Sequence, residues 1–147
     1  MKRRHFLISS IFSLGLISQR AYSSTTETSL SFHVLLNDEI VGYSNLTHRK
    51  LKKGLEVVID VEIVPKILGL KFMKYTLKNR EVWKNKELVS IDANSSWFGK
   101  KYFVKGQREG SDFSVQGSAF SGIIKDKFAT TSYFTPDFLK RRVWLST

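Results

Sequence analysis

Glu81 and Asp92 are the two carboxylates whose placement suggests shared chemistry. They fall on successive stretches of strand-like sequence, and alternation puts Glu81 on the same face as Tyr75 and Trp83. A carboxylate among aromatic side chains is partly desolvated, a setting in which enzymes place general acids and bases. It is equally a setting for a hydrogen-bonded structural post. Glu81, with Tyr75 or Asp92 as partner, is therefore a candidate for catalysis, and no catalytic residue is assigned. His33 and His48 lie on different expected strands, at a spacing that matches no zinc pattern. They read as solvated side chains, so no metal site is expected. The chain has no cysteine, which excludes disulfides and thiolate ligands. It also lacks a Gly-x-Ser-x-Gly nucleophile elbow, a glycine-rich phosphate loop and a dinucleotide fingerprint, so no cofactor is expected.

The aromatic residues are the loudest signal. Tyr75, Trp83, Trp97, Phe98, Tyr102 and Tyr133 lie in the second half of the chain with Phe72, Phe103, Phe134 and Trp144. Such residues ordinarily fill a core. Here they also suit an apolar cavity inside a curled sheet, with Trp97, Phe98 and Tyr133 near its mouth and lysines and arginines around the rim. Trp83 and Trp97 fall on the apolar sides of successive strands and are expected to share one environment.

Strands must position these groups. Leu30, Phe32, Val34 and Leu36 recur at spacing two, followed by the turn Asn37-Asp38-Glu39 and a strand from Ile40 to His48. After Lys52-Lys53-Gly54, apolar residues at 55, 57, 59, 61 and 63 alternate with Glu56, Asp60 and Glu62, the pattern of a half-buried strand. Lys66–Lys71 reads as a bend after Pro65. A long strand follows from Phe72 to Trp83, then Leu88–Trp97 beyond the turn Lys84-Asn85-Lys86. Lys101–Gln107, Phe113–Gly117 and Ser118–Lys125 complete the series. Repeated strands with tight polar turns and no intervening helix imply an antiparallel meander of about eight strands, mainly β, curled into a barrel or half-barrel. One short helical turn is expected at Thr135-Pro136-Asp137, with Thr as N-cap and Pro at the first helical position. Val143-Trp144-Leu145 reads as a last strand.

The first residues, MKRRHFLISSIFSLGLISQRAYSS, have a basic start, a moderate apolar run and a polar tail ending in Ala21-Tyr22-Ser23. That is the layout of a secretory signal peptide over residues 1–23. The stretch Arg3-Arg4-His5-Phe6-Leu7 resembles the twin-arginine export signal, although general secretion remains the other route. The apolar run is short of the ~20 residues that span a bilayer. The expected location is therefore outside the inner membrane, in the periplasm. The remainder, Ser24–Thr147, is one domain of ordinary size.

The chain has 24 Lys and Arg against 13 Asp and Glu. Lys2, Arg3, Arg4 and Arg20 lie in the leading segment, which holds no acid. The domain is left with 20 basic and 13 acidic residues, a net charge of +7. A positive field of that size concentrates anions such as lipid headgroups. Stacked aromatics beside cations also suit nucleic acid, but the export signal argues against that partner.

The stretch Glu81-Val82-Trp83, a short basic turn, Leu88-Val89-Ser90-Ile91-Asp92-Ala93 and Gly99-Lys100 resembles an exported bacterial family, domain of unknown function 6134. Phe32–Leu36, Ile40–Gly42, Gly69, Tyr75 and Thr131-Ser132-Tyr133 with Pro136 belong to the same resemblance. It implies a β-rich envelope protein and supplies no activity, substrate or catalytic residue. Members carry Trp-Asn-Pro where this chain has Phe134-Thr135-Pro136. They also continue beyond the position of Leu145 into a further hairpin, so Val143–Leu145 is expected to lack its usual partner and to offer an edge for association. The expected function is non-enzymatic binding of an apolar or anionic amphipathic ligand, or peripheral contact with an envelope surface. The alternatives are an enzyme using Glu81 and an assembly partner acting through the C-terminal strand.

Overall fold

The computed structural model describes residues 26–67, 70, 71, 73–125, 127–132 and 136–146. The expected signal peptide, Tyr133 and the expected cap Thr135 lie outside these residues.

Hydrophobic alternation and short turns produce one large antiparallel sheet. Its strands are β1 (Glu27–Leu36), β2 (Glu39–Leu51), β3 (Gly54–Ile63), β6 (Tyr75–Lys84), β7 (Glu87–Trp97), β8 (Lys100–Glu109), β9 (Asp112–Gly117) and β10 (Ser121–Ile124). They are joined in that order, so every neighbour in the sheet is the next strand along the main path. Between β3 and β6 the chain makes a small hairpin of β4 (Lys66–Ile67) and β5 (Leu70–Lys71) where the sequence reads as a bend.

Three connections are two-residue turns with both φ values positive: Asn37-Asp38, Asn85-Lys86 and Phe98-Gly99. This is the turn whose twist matches that of the strands it joins. Asn, Asp and Gly adopt such angles readily. Phe98, at φ 50°, does not.

The sheet is open. β1 and β10 are its two edges, and they do not pair with each other. This corrects the closed-barrel expectation. The apolar face at the β3–β9 end is sealed instead by a separate layer, the parallel pair β11 (Phe128–Thr130) and β12 (Val143–Leu145). A 3-10 helix, Pro136–Lys140, lies between them in sequence. The core beneath this layer is Val57, Trp83, Leu88, Ile91, Ala93, Phe113, Val115 and Leu145. Phe128 stacks on Phe113 with ring centroids 4.9 Å apart. Val143–Leu145 is not without any partner, since β11 pairs with it in parallel; in this two-stranded sheet its other edge is unpaired among the described residues. That strand is only three residues long and shows no alternation long enough to read.

The outer face is charged. Asp60 pairs with Lys78 across β3 and β6, while Arg80, Asp92 and Lys105 share a row across β6, β7 and β8. Glu56 departs from the solvated position that its alternation suggests. It is buried, and Arg49 Nη1 and Arg80 Nε each donate to it at 2.6 Å. Register explains this, since Arg49 lies directly opposite Glu56.

Candidate functional site

Register sorts the core-facing side chains into rows that run across the sheet. One row is His48, Val57, Glu81, Ile91, Gly106 and Val115. The next is Leu30, Leu46, Ile59, Asn79, Ala93 and Val104. Beyond it come Phe32, Ser44, Val61, Leu77, Ser95 and Tyr102, and last Val34, Gly42, Ile63, Tyr75, Trp97 and Lys100. The layer made by β11 and β12 seals the first row, where Val57, Glu81, Ile91 and Val115 are all buried. Burial falls away across the others. In the last two rows Val61, Leu77, Ile63 and Tyr75 are half-buried, while Phe32 is 52% exposed and Trp97 45% exposed. The sheet therefore carries an apolar face that its own second layer covers only in part.

Glu81 anchors the covered end. It is wholly buried and accepts hydrogen bonds from Asn79 Nδ2 at 3.0 Å, Trp83 Nε1 at 2.8 Å and Ser132 Oγ at 2.8 Å. Ser132 in turn shares a 2.7 Å bond with Thr130 Oγ1. All three donors are neutral. The Ser132 bond ties the sheet to the turn that follows β11, so Glu81 joins the two layers. Asp92 lies opposite Arg80 on the outer face and forms no pair with Glu81. Tyr75 is six residues further along β6, at the other end of the strand. Glu81 thus bridges the two layers, and neither expected partner, Tyr75 or Asp92, stands beside it.

Trp83 is 6% exposed and belongs to the core, held by Glu81; the opening it borders is a polar cleft of about 240 Å³ with Asn85, Arg108 and Arg141, at the covered end of the sheet. Trp83 does not share an environment with Trp97. Trp83 pairs with Leu88 at one end of the β6–β7 pair and Trp97 pairs with Tyr75 at the other, about 25 Å along the strands. Alternation places both on one face but cannot show that the cover stops between them.

Three expected ligand-lining residues do converge. The Tyr75 and Trp97 rings meet edge to face at 5.7 Å, and Trp97 meets Phe98 at 5.3 Å. Burial raises the Tyr75 phenol above the ordinary tyrosine range. Tyr102 stands in the adjacent row, directly opposite Ser95. Towards β10 the same face runs into a cavity of about 370 Å³ between β12 and the strands β8 to β10. Val104, Val115, Phe120, Ile124 and Trp144 line it. Apart from Trp144, these residues escape sequence reading because the cavity exists only where β12 folds back. Asn79 and Ser132 were also missed, although polar residues at core-facing positions 79 and 81 of β6 were a usable signal.

His33 pairs with Tyr43 on the outer face and His48 with Val57 on the core face, so the two do not converge. Among the described residues no cluster of three or more His, Asp or Glu could hold a metal ion. No helix among them is long and apolar enough to cross a membrane.

An open meander sheet, half sealed by a short parallel pair and carrying an aromatic cluster on its unsealed half, is the class of protein that the fold defines. The chain belongs to the family described as domain of unknown function 6134, whose model matches residues 32–147. No curated protein and no solved structure matches it.

Proposed function

We propose that this is an exported envelope protein that binds an apolar or anionic amphipathic ligand on the unsealed half of its sheet. The observation that carries the reading is the loss of cover across one continuous apolar face. Trp97, Tyr102 and Phe32 remain exposed beside Leu77, Val61 and Ile63. Large contiguous apolar surface is uncommon on a soluble monomer and marks a binding site. The adjoining cavity of about 370 Å³ falls within the size of ordinary small-molecule sites. Lys100 ends the outermost row, and the domain's net charge of +7 favours an acidic headgroup over a neutral one.

Titration with oleic acid, without vesicles, tests the binding reading. Oleate should shift tryptophan emission to the blue, and Trp97→Ala should remove that shift. Affinity for oleate should fall as salt rises, whereas affinity for the neutral analogue oleyl alcohol should hold. No fluorescence or calorimetric response to either compound would sink the reading. Export is tested separately. The arginine pair and the Ala21-Tyr22-Ser23 boundary support a mature chain beginning near Ser24. Intact Met1 on a cytosolic product would overturn that part. Replacing Arg3 and Arg4 with lysine should stop export if the twin-arginine route is used, and unimpaired export would assign general secretion.

A further inference from the structure

The exposed large apolar side chains are not spread evenly over the molecule. Register places the Asn37-Asp38 turn, the Phe98-Gly99 turn and the β9–β10 connection at one end of the sheet. Leu35, Leu36 and Ile40 are exposed at the first, Trp97 and Phe98 at the second, and Phe120 at the third. The opposite end holds the turns at Lys52-Lys53, Asn85-Lys86 and Gly110-Ser111. Among the described residues no exposed large apolar side chain lies at these turns, and the exposed Leu139 and Ile123 stand singly in the 3-10 helix and in β10.

Phe98 adds an independent observation. It is 52% exposed and sits at a left-handed backbone angle that a bulky residue adopts only at a cost. Asn or Gly would suit the turn better. The Phe98 ring meets Trp97 edge to face at 5.3 Å and is otherwise turned largely to solvent. Lys100 and Lys101 follow it directly, both exposed, and Lys66 is exposed at the same end. The acids Asp38 and Glu39 cap the β1–β2 turn, so the β7–β8 turn is the part that suits a negative surface.

We propose that the protein docks on an anionic lipid bilayer through this end, with Trp97 and Phe98 entering the headgroup–acyl boundary and Lys100 and Lys101 meeting the phosphates. Trp beside Phe is the side-chain pair that favours that boundary. Each lysine near an anionic membrane strengthens binding about fivefold. The docking itself does not depend on the ligand reading. Where that reading also holds, docking turns the open aromatic end of the ligand face towards the bilayer, so that an amphiphile passes between them without crossing water.

The test uses the full chain with vesicles of phosphatidylglycerol and phosphatidylcholine, the acyl chains brominated to quench tryptophan on contact. The apolar segment before Ser24 is the same in every variant and contains no tryptophan. Wild type should be quenched on phosphatidylglycerol vesicles, and Trp97→Phe should abolish most of that quenching. Phe98→Asn keeps a turn of the same type and should weaken vesicle binding at least tenfold without loss of thermal stability. Changing Lys100 and Lys101 together to Gln should weaken binding about twentyfold on phosphatidylglycerol, and raised salt should mimic it. Quenching that survives Trp97→Phe, or Phe98→Asn binding as tightly as wild type, would overturn the proposal. Equal binding to pure phosphatidylcholine would also overturn it, because the partner would then carry no anionic requirement. A protein that docks but ignores oleate in solution would retain this inference and lose the ligand reading, and the reverse result would do the opposite.

Discussion

Glu81 is a buried carboxylate held, among the described residues, by three neutral donors. Replacing it with Gln retains the shape but puts an NH2 group where an acceptor stood. That NH2 either faces the Asn79 NH2 or takes the Asn79 Oδ1 after the amide turns, which leaves the Asn79 NH2 without its acceptor. Glu81→Gln should therefore destabilise the protein by about 1–3 kcal/mol, the range for a buried polar group left unsatisfied, as read by urea denaturation. Ser132→Ala removes only one neutral donor and should cost about 1 kcal/mol. Equal stability of Glu81→Gln and wild type would contradict the clamp. Tyr75 offers a test by pH. Its neutral form is favoured in the fold because burial disfavours the phenolate. The unfolded chain thus releases the proton first, and stability should be unaffected below pH ~10 and decline as pH rises past it. Tyr75→Phe should flatten that part of the profile, and an unchanged slope would show that other groups control it.

At the scale of elements, the eight main strands were legible because each is long, alternates at period two and ends in a turn that announces itself. Asn37-Asp38 and Asn85-Lys86 are such turns, and the register of the rows follows from them. What lay beyond reach was the second layer. β11 and β12 are three residues each, too short for periodicity, and their pairing is parallel and separated by an intervening segment. The candidate site was accordingly read too broadly. Tyr75, Trp83, Trp97 and Tyr102 share the core-facing side of the sheet, but Trp83 is beneath the cover and Trp97 is beyond it. A pair so short has no stability of its own. It is fixed by Leu145 in the core, by the Thr131 amide donating to the Leu145 carbonyl at 3.2 Å, and by Ser132 on Glu81. Leu145→Ala should cost about 2–4 kcal/mol, a typical loss for a buried leucine. Gly106 tests the opposite surface of the same core. A Cβ there would come within 2.5 Å of the Phe113 ring, so Gly106→Ala should cost about 1–3 kcal/mol by overpacking. Neither change should alter the Trp97 environment directly.

Across the whole molecule, cohesion is graded along the sheet. β6 and β7 have neighbours on both sides, and their core faces pass from the sealed rows to the open ones. β1 is an edge strand in which only Val34 is even partly buried. Its apolar side chains Leu30 and Phe32 lie at the ends of their rows farthest from the second layer and are exposed. Opening free energy follows local burial. Backbone amides in β6 and β7 should therefore exchange with solvent at close to the global unfolding rate, and those of β1 by local opening that is faster by orders of magnitude. A bound amphiphile would give Leu30 and Phe32 the cover they lack. It follows that saturating oleate should slow exchange most in β1 and β2, less in β8, and scarcely at all in β6 near Glu81, where cover is already complete. Hydrogen exchange read by mass spectrometry on peptides from each strand separates these cases. Uniform slowing of every strand would indicate a ligand that merely raises global stability, and slowing confined to β8–β10 would move the binding site into the cavity under Trp144. Protection of β1 in the absence of any ligand, equal to that of β6, would mean that its apolar face is already occupied, by a second copy of the chain or by a segment outside the described residues.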